Sequence, residues 1–114
     1  MATEGIEGVY VETRNWGKTV RFLQELGFDV EFATDHGSGM LRNGEGPYLF
    51  VEEVPEADQP QVQVLLRVAD AGACQPGPPV EVVSPFEDTH YGTSEMRVRD
   101  PDGRIWSLQA PAQG

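Results

Sequence analysis

Residues 6–12, Ile-Glu-Gly-Val-Tyr-Val-Glu, alternate strictly, with Val9 and Val11 on one side and Gly8, Tyr10 and Glu12 on the other, which predicts a half-buried strand. Asn15 then stands as a helix N-cap. Trp16, Val20 and Leu23 recur at helical spacing, supported by Phe22 and Leu26, and Gly27 sits where a left-handed closing residue belongs, so a helix is expected over about 16–26. Three short strands follow, Phe28 to Thr34, Gly39 to Arg42 and Pro47 to Val54, separated by the turns His36-Gly37-Ser38-Gly39 and Asn43-Gly44-Glu45-Gly46. The order of this half is β-α-β-β-β.

Val54-Pro55-Glu56-Ala57-Asp58-Gln59-Pro60 is polar and broken by prolines, and reads as a linker. Beyond it, Gln61 to Val68 and Val80 to Val83 read as strands. A closing pair flanks Asp100-Pro101-Asp102-Gly103, a tight reversal in which Asp100 bonds its own backbone, Pro101 presets φ and Gly103 frees the last position. The expected organisation is one α+β domain over 1–114, with modules of about 1–55 and 61–114. Between Val68 and Val80, Gly72 and the Pro76-Gly77-Pro78-Pro79 cluster leave less than two helical turns. The second half therefore lacks a proper helix, and a sister subunit is the expected cover for its outer face.

Composition narrows the classes. The 114 residues are 39% hydrophobic, enough for one modest core. No apolar run is long enough to span a bilayer, and the start lacks the basic and apolar regions of a signal peptide, so a cytoplasmic protein is expected. Cys74 is a lone thiol and reads as passive. The formal charge of −11 repels phosphate backbones and attracts cations, which argues against nucleic acid as a partner. No nucleophile motif, Gly-x-Gly-x-x-Gly or phosphate loop is present. His36 and His90, in Gly- or Thr-containing loops, read as surface imidazoles.

Two phrases, Asn15-Trp16 followed by Phe22-Leu23 and Leu26-Gly27-Phe28, and Tyr91-Gly92 followed by the Asp-Pro-Asp-Gly hairpin, give the chain its resemblance to the vicinal oxygen chelate superfamily of glyoxalases, bleomycin-resistance proteins and extradiol dioxygenases. The resemblance spans nearly the whole chain. It implies two βαβββ modules side by side in a cupped mixed sheet. In metal-dependent relatives a divalent ion is held from positions that correspond here to Gly8, to the neighbourhood of Phe50 to Glu52, to Gln63 and to Ser107. Of these only Glu52 is an ordinary ligand, so no metal and no other cofactor is expected.

A cup without a metal implies a ligand pocket. If Gly8 faces it, so do Tyr10 and Glu12; Leu65 and Arg67 accompany Gln63, and Ile105 and Gln109 accompany Ser107. Phe50 and Glu52 line the first module, while Trp16 and Trp106 belong to the core. The resemblance is closest to the metal-free bleomycin-resistance branch, which is dimeric and sequesters a cationic antibiotic; Phe32 and Tyr91 match two of its aromatics, and a further loop aromatic is replaced by His36-Gly37-Ser38. The expected function is stoichiometric binding of an aromatic or cationic natural product by a homodimer. In that reading Glu12 and Glu52 supply charge, Tyr10, Phe32, Phe50 and Tyr91 supply stacking surface, and Gln63, Arg67 and Ser107 supply directional hydrogen bonds. Two alternatives stay open: a lyase or isomerase of the same fold with Glu52 or His90 as general base, and a regulatory or scaffolding dimer without a small ligand.

Overall fold

Asn15 starts the helix as its side chain predicts. Its backbone is extended, and its Oδ1 accepts the backbone N–H of Lys18 at 3.0 Å. The computed structural model describes residues 3–112, which divide within two of the strands into a compact unit Gly8–Gln63 and a second one made of the chain up to Glu7 and from Val64 onward.

In the first unit β1 (Ile6–Thr13) leads into α1 (Trp16–Glu25), and the meander β2 (Asp29–Ala33), β3 (Ser38–Arg42) and β4 (Tyr48–Glu53) follows. β4 lies parallel to β1 and antiparallel to β3, giving the order β2-β3-β4-β1. Past the helix, Phe28 N–H reaches back to Leu23 O at 3.0 Å and Gly27 takes a φ of 101°, a closure open to glycine. Val20 packs on the fully buried Leu41 and Val51, ringed by Val11, Trp16, Leu23, Phe28 and Leu49.

The expected support of that stripe by Phe22 and Leu26 does not occur. Both side chains are out in solvent, 64% and 58% exposed. Phe22 follows Val20 by two residues and so points about 200° round the helix, and Leu26 lies past the last turn.

The second unit comprises β5 (Val62–Arg67) from Val64 onward, a 3-10 turn at Ala71–Ala73, β6 (Glu81–Asp88), β7 (Thr93–Arg99) and β8 (Ile105–Pro111). β5 and β8 are parallel, β8 and β7 antiparallel, and β6 forms the far edge. β6 runs well past the expected Val83 because its pairing slips twice, around Ser84, and an edge strand with bulges accommodates Pro85. Asp100 N–H bonds Arg104 O at 2.9 Å and Gly103 N–H bonds Asp100 O at 3.0 Å, closing the β7–β8 hairpin where the sequence places it.

The face expected to need a sister subunit is covered from within. Ala71 and Cys74, carried by the short segment that Asp70 caps through Gly72 N–H at 3.0 Å, are buried with Val68, Met96, Val98, Leu108 and Ala110. Leu66, Phe86 and Trp106 pack around them, so Trp106 is core as expected. Small side chains let an irregular segment lie close on a sheet where a helix would stand further off. Among the described residues no helix is long and apolar enough to cross a membrane.

Candidate functional site

Strand register lines up the chemistry of the first unit. Phe32 pairs with Met40, Met40 with Phe50, and Phe50 with Tyr10, so four large side chains form one row across β2, β3, β4 and β1. The Tyr10 and Phe50 rings stack with centroids 6.3 Å apart at 17°, and Phe32 tilts onto Phe50 at the same separation and 58°. Phe32 ends the row on an edge strand and remains 48% exposed. Such a row offers a flat apolar platform.

The next row is acidic. Glu52 pairs with Glu12, and the Tyr10 hydroxyl donates to Glu52 Oε1 at 3.0 Å. Glu12 Oε1 accepts the backbone N–H of Gln61 at 3.0 Å. Burial, then the hydrogen bond and charge of Glu52 and the charge of Glu12, push the Tyr10 phenol well above its ordinary range, so it stays a proton donor at neutral pH.

On the other flank lies Tyr48, which sequence reasoning missed although it sits two residues before Phe50 and so shares its face. A Cβ on Gly8 would come within 2.7 Å of the Tyr48 ring and of its carbonyl oxygen, which is why glycine stands there. The Arg42 guanidinium lies 5.6 Å from the centroid of that ring, and is held by Glu31 Oε1 at 2.6 Å and Gly46 O at 2.9 Å. The aromatic face thus already holds one cation of its own.

The second unit presents a different set. Ser107 is fully buried and donates its hydroxyl to Glu95 Oε2 at 2.6 Å. Gln109, 7% exposed, donates from Nε2 to the same Glu95 oxygen at 2.9 Å and to Ser107 Oγ at 2.7 Å. What Ser107 offers a ligand is therefore delivered through Glu95, a residue the sequence reading did not place in the site. The signal was there in the hairpin register, which pairs Glu95 with Gln109, but needed the β7–β8 alignment to be known. Arg67 is engaged with Glu7 Oε1 at 2.7 Å, Leu65 is buried, and Gln63 is half-buried on β5.

Tyr91 is in the β6–β7 loop, 61% exposed, its ring edge-on to His90 at 5.1 Å. Burial of its hydroxyl and the charge of Glu95 push its phenol upward. His36 is exposed and bonded to the neighbouring Asp35 at 2.9 Å, and His90 is exposed too, as expected of surface imidazoles.

The positions that the sequence resemblance assigns to a metal do not fit one here. Gly8 has no side chain and its space is taken by Tyr48; Ser107 is spent on Glu95; Gln63 brings an amide; Glu52 is the one carboxylate, and it accepts the Tyr10 hydroxyl. Among the described residues no three His, Cys, Asp or Glu side chains gather closely enough to hold an ion.

No protein-family model matches this sequence, and no curated protein does. Solved structures do. A glyoxalase/bleomycin resistance protein/dioxygenase superfamily member from Vibrio splendidus 12B01 superposes with a TM-score of 0.68 at 17% identity, over 90% of this chain and 96% of the other. The chain has the glyoxalase/bleomycin-resistance fold. Two larger enzymes contain the same fold as a part: a variant of homoprotocatechuate 2,3-dioxygenase from B. fuscum, with a TM-score of 0.71 at 15% identity over 98% of this chain and 34% of that one, and the Mn(II)-bound glyoxalase from Novosphingobium aromaticivorans, with a TM-score of 0.63 at 12% identity over 96% and 39%. This chain thus spans about two fifths or less of those enzymes and nearly all of the Vibrio protein. At such identities the glyoxalase/bleomycin-resistance likeness is one of fold, and the side chains described above are this chain's own.

Proposed function

We propose that the protein binds a flat, cationic small molecule of the natural-product or antibiotic kind, without a metal ion and without turning it over. The observation that carries this is the row Phe32, Met40, Phe50 and Tyr10, which ends beside the paired carboxylates of Glu52 and Glu12. The ring system of a ligand stacks on Phe50 and Phe32, its cationic group is held by Glu12 and Glu52, and the Tyr10 phenol, fixed as a donor, orients the carboxylate that it touches. The Arg42 guanidinium seated on Tyr48 is an internal precedent for a cation on this face.

Calorimetric titration of glycopeptide, anthraquinone, enediyne and peptide antibiotics tests it. One class should bind with saturation. Phe50→Ala should then weaken it about fivefold, the equivalent of ~1 kcal/mol of stacking, and Glu52→Gln should weaken it more at low salt than at high salt, because added ions screen charge and leave stacking intact. Affinity indifferent to both substitutions, or chemical turnover of the ligand, would end this reading.

A further inference from the structure

Glu95 is held in a way that a purely structural bridge does not need. Both of its protein donors, the Ser107 hydroxyl at 2.6 Å and the Gln109 amide at 2.9 Å, converge on one oxygen, Oε2. Gln109 uses its second amide hydrogen on Ser107 Oγ at 2.7 Å, so the triangle of side chains is closed and the carboxylate cannot swing without breaking it. Oε1 accepts no hydrogen bond among the described residues.

Among the described residues the carboxylate also forms no ion pair. Arg67, which pairs in register with Gln109, is bonded to Glu7, and Arg99 is bonded to Glu81. Arg97, two residues along the same strand, forms no ion pair with Glu95 among the described residues. A half-buried anion with one oxygen tied by neutral donors and the other free is a poor stabilising device, since its desolvation is met by no opposite charge. It is a good receptor for a group that brings both charge and N–H donors. Burial first, and then the charge of Glu95, push the Tyr91 phenol upward.

We propose that Glu95, positioned by Ser107 and Gln109, is a binding site for an amidinium, guanidinium or ammonium group carried on a small aromatic or apolar body. Ser107 and Gln109 act through Glu95 as positioning residues. The site lies wholly in the second unit.

The probe is benzamidinium chloride, with neutral benzamide as its shape-matched control, and the readout is the Gln109 side-chain amide pair in 1H–15N spectra. Benzamidinium should shift these resonances with saturation, and benzamide should bind at least roughly tenfold more weakly, the ratio expected when a charge-assisted hydrogen bond is lost. Glu95→Gln, which keeps an acceptor for both donors, should reduce benzamidinium affinity by a similar factor. Ser107→Ala, which keeps the charge and frees the carboxylate, should cost severalfold. The wild-type comparison of the two probes decides even if a variant does not fold. No saturable shift, equal binding of benzamide, or undiminished binding to Glu95→Gln would each overturn the proposal.

Discussion

At single positions the structure separates residues that fill space from those that carry chemistry. Gly8 is a spacing residue: a methyl group there would meet both the Tyr48 ring and its backbone oxygen at 2.7 Å. Gly8→Ala should therefore destabilise the protein by about 1–3 kcal/mol, as overpacking generally does, and a urea midpoint equal to that of the wild type would show that Tyr48 moves aside freely. Ser94 is the reverse case. It is fully buried on the core face of β7, and its hydroxyl has no hydrogen-bond partner among the described residues. Ser94→Ala should raise stability by about 1 kcal/mol, because an unpaired buried hydroxyl costs that much or more; a lower melting temperature would mean that the hydroxyl is satisfied after all. Tyr10 joins both roles, stacking on Phe50 with its ring and donating to Glu52 with its hydroxyl.

Among the elements, the β7–β8 hairpin is the one whose chemistry can be followed by pH. Asp100 Oδ2 accepts from Arg104 Nε and Trp106 Nε1, each at 2.9 Å, while Oδ1 accepts the backbone N–H groups of Asp102 and Arg104. The Arg104 guanidinium first, then the Trp106 indole, hold the Asp100 carboxyl well below its ordinary value of 3.8. A carboxylate depressed on folding stabilises the folded state above its unfolded value, and that contribution is lost as the pH falls through the folded one. The hairpin contribution is thus complete at neutral pH and fades in acid below 3.8. Denaturation midpoints of wild type and Asp100→Asn should differ by a constant amount at neutral pH and converge in acid; a gap that persists or widens in acid would remove the charge argument. The segment carrying Ala71–Ala73 makes the complementary point. Its sequence shows that no helix forms, but that Ala71 and Cys74 serve as the cover appears only when the sheet beneath them is in place.

For the whole molecule, the internal cover changes the argument for self-association. A homodimer is now expected from the edge strand β6, where Val82 and Val83 are 42% and 41% exposed, as is the adjoining Val80 at 40%. Sedimentation at micromolar concentration should give a dimer that Val83→Lys splits, since a lysine on an edge strand opposes pairing with a second edge; a monomeric wild type would retire the expectation. The net charge of −11 adds that the on-rate of a cationic ligand falls as salt is raised. The sequence by itself determined what depends on neighbours along the chain: the capped helix at Asn15, its closure at Gly27, the Asp100 turn, the missing second helix, and the alternation that puts Tyr10 with Glu12 and Phe50 with Glu52. These are local backbone and period-two effects, and they need no partner strand. Tertiary structure decided what depends on register between strands: the alignment of Phe32, Met40, Phe50 and Tyr10, the placing of Tyr48 over Gly8, and the meeting of Glu95 with Ser107 and Gln109. A one-residue slip of pairing would send each of these side chains to the other face, and nothing within a single strand fixes which neighbour it meets.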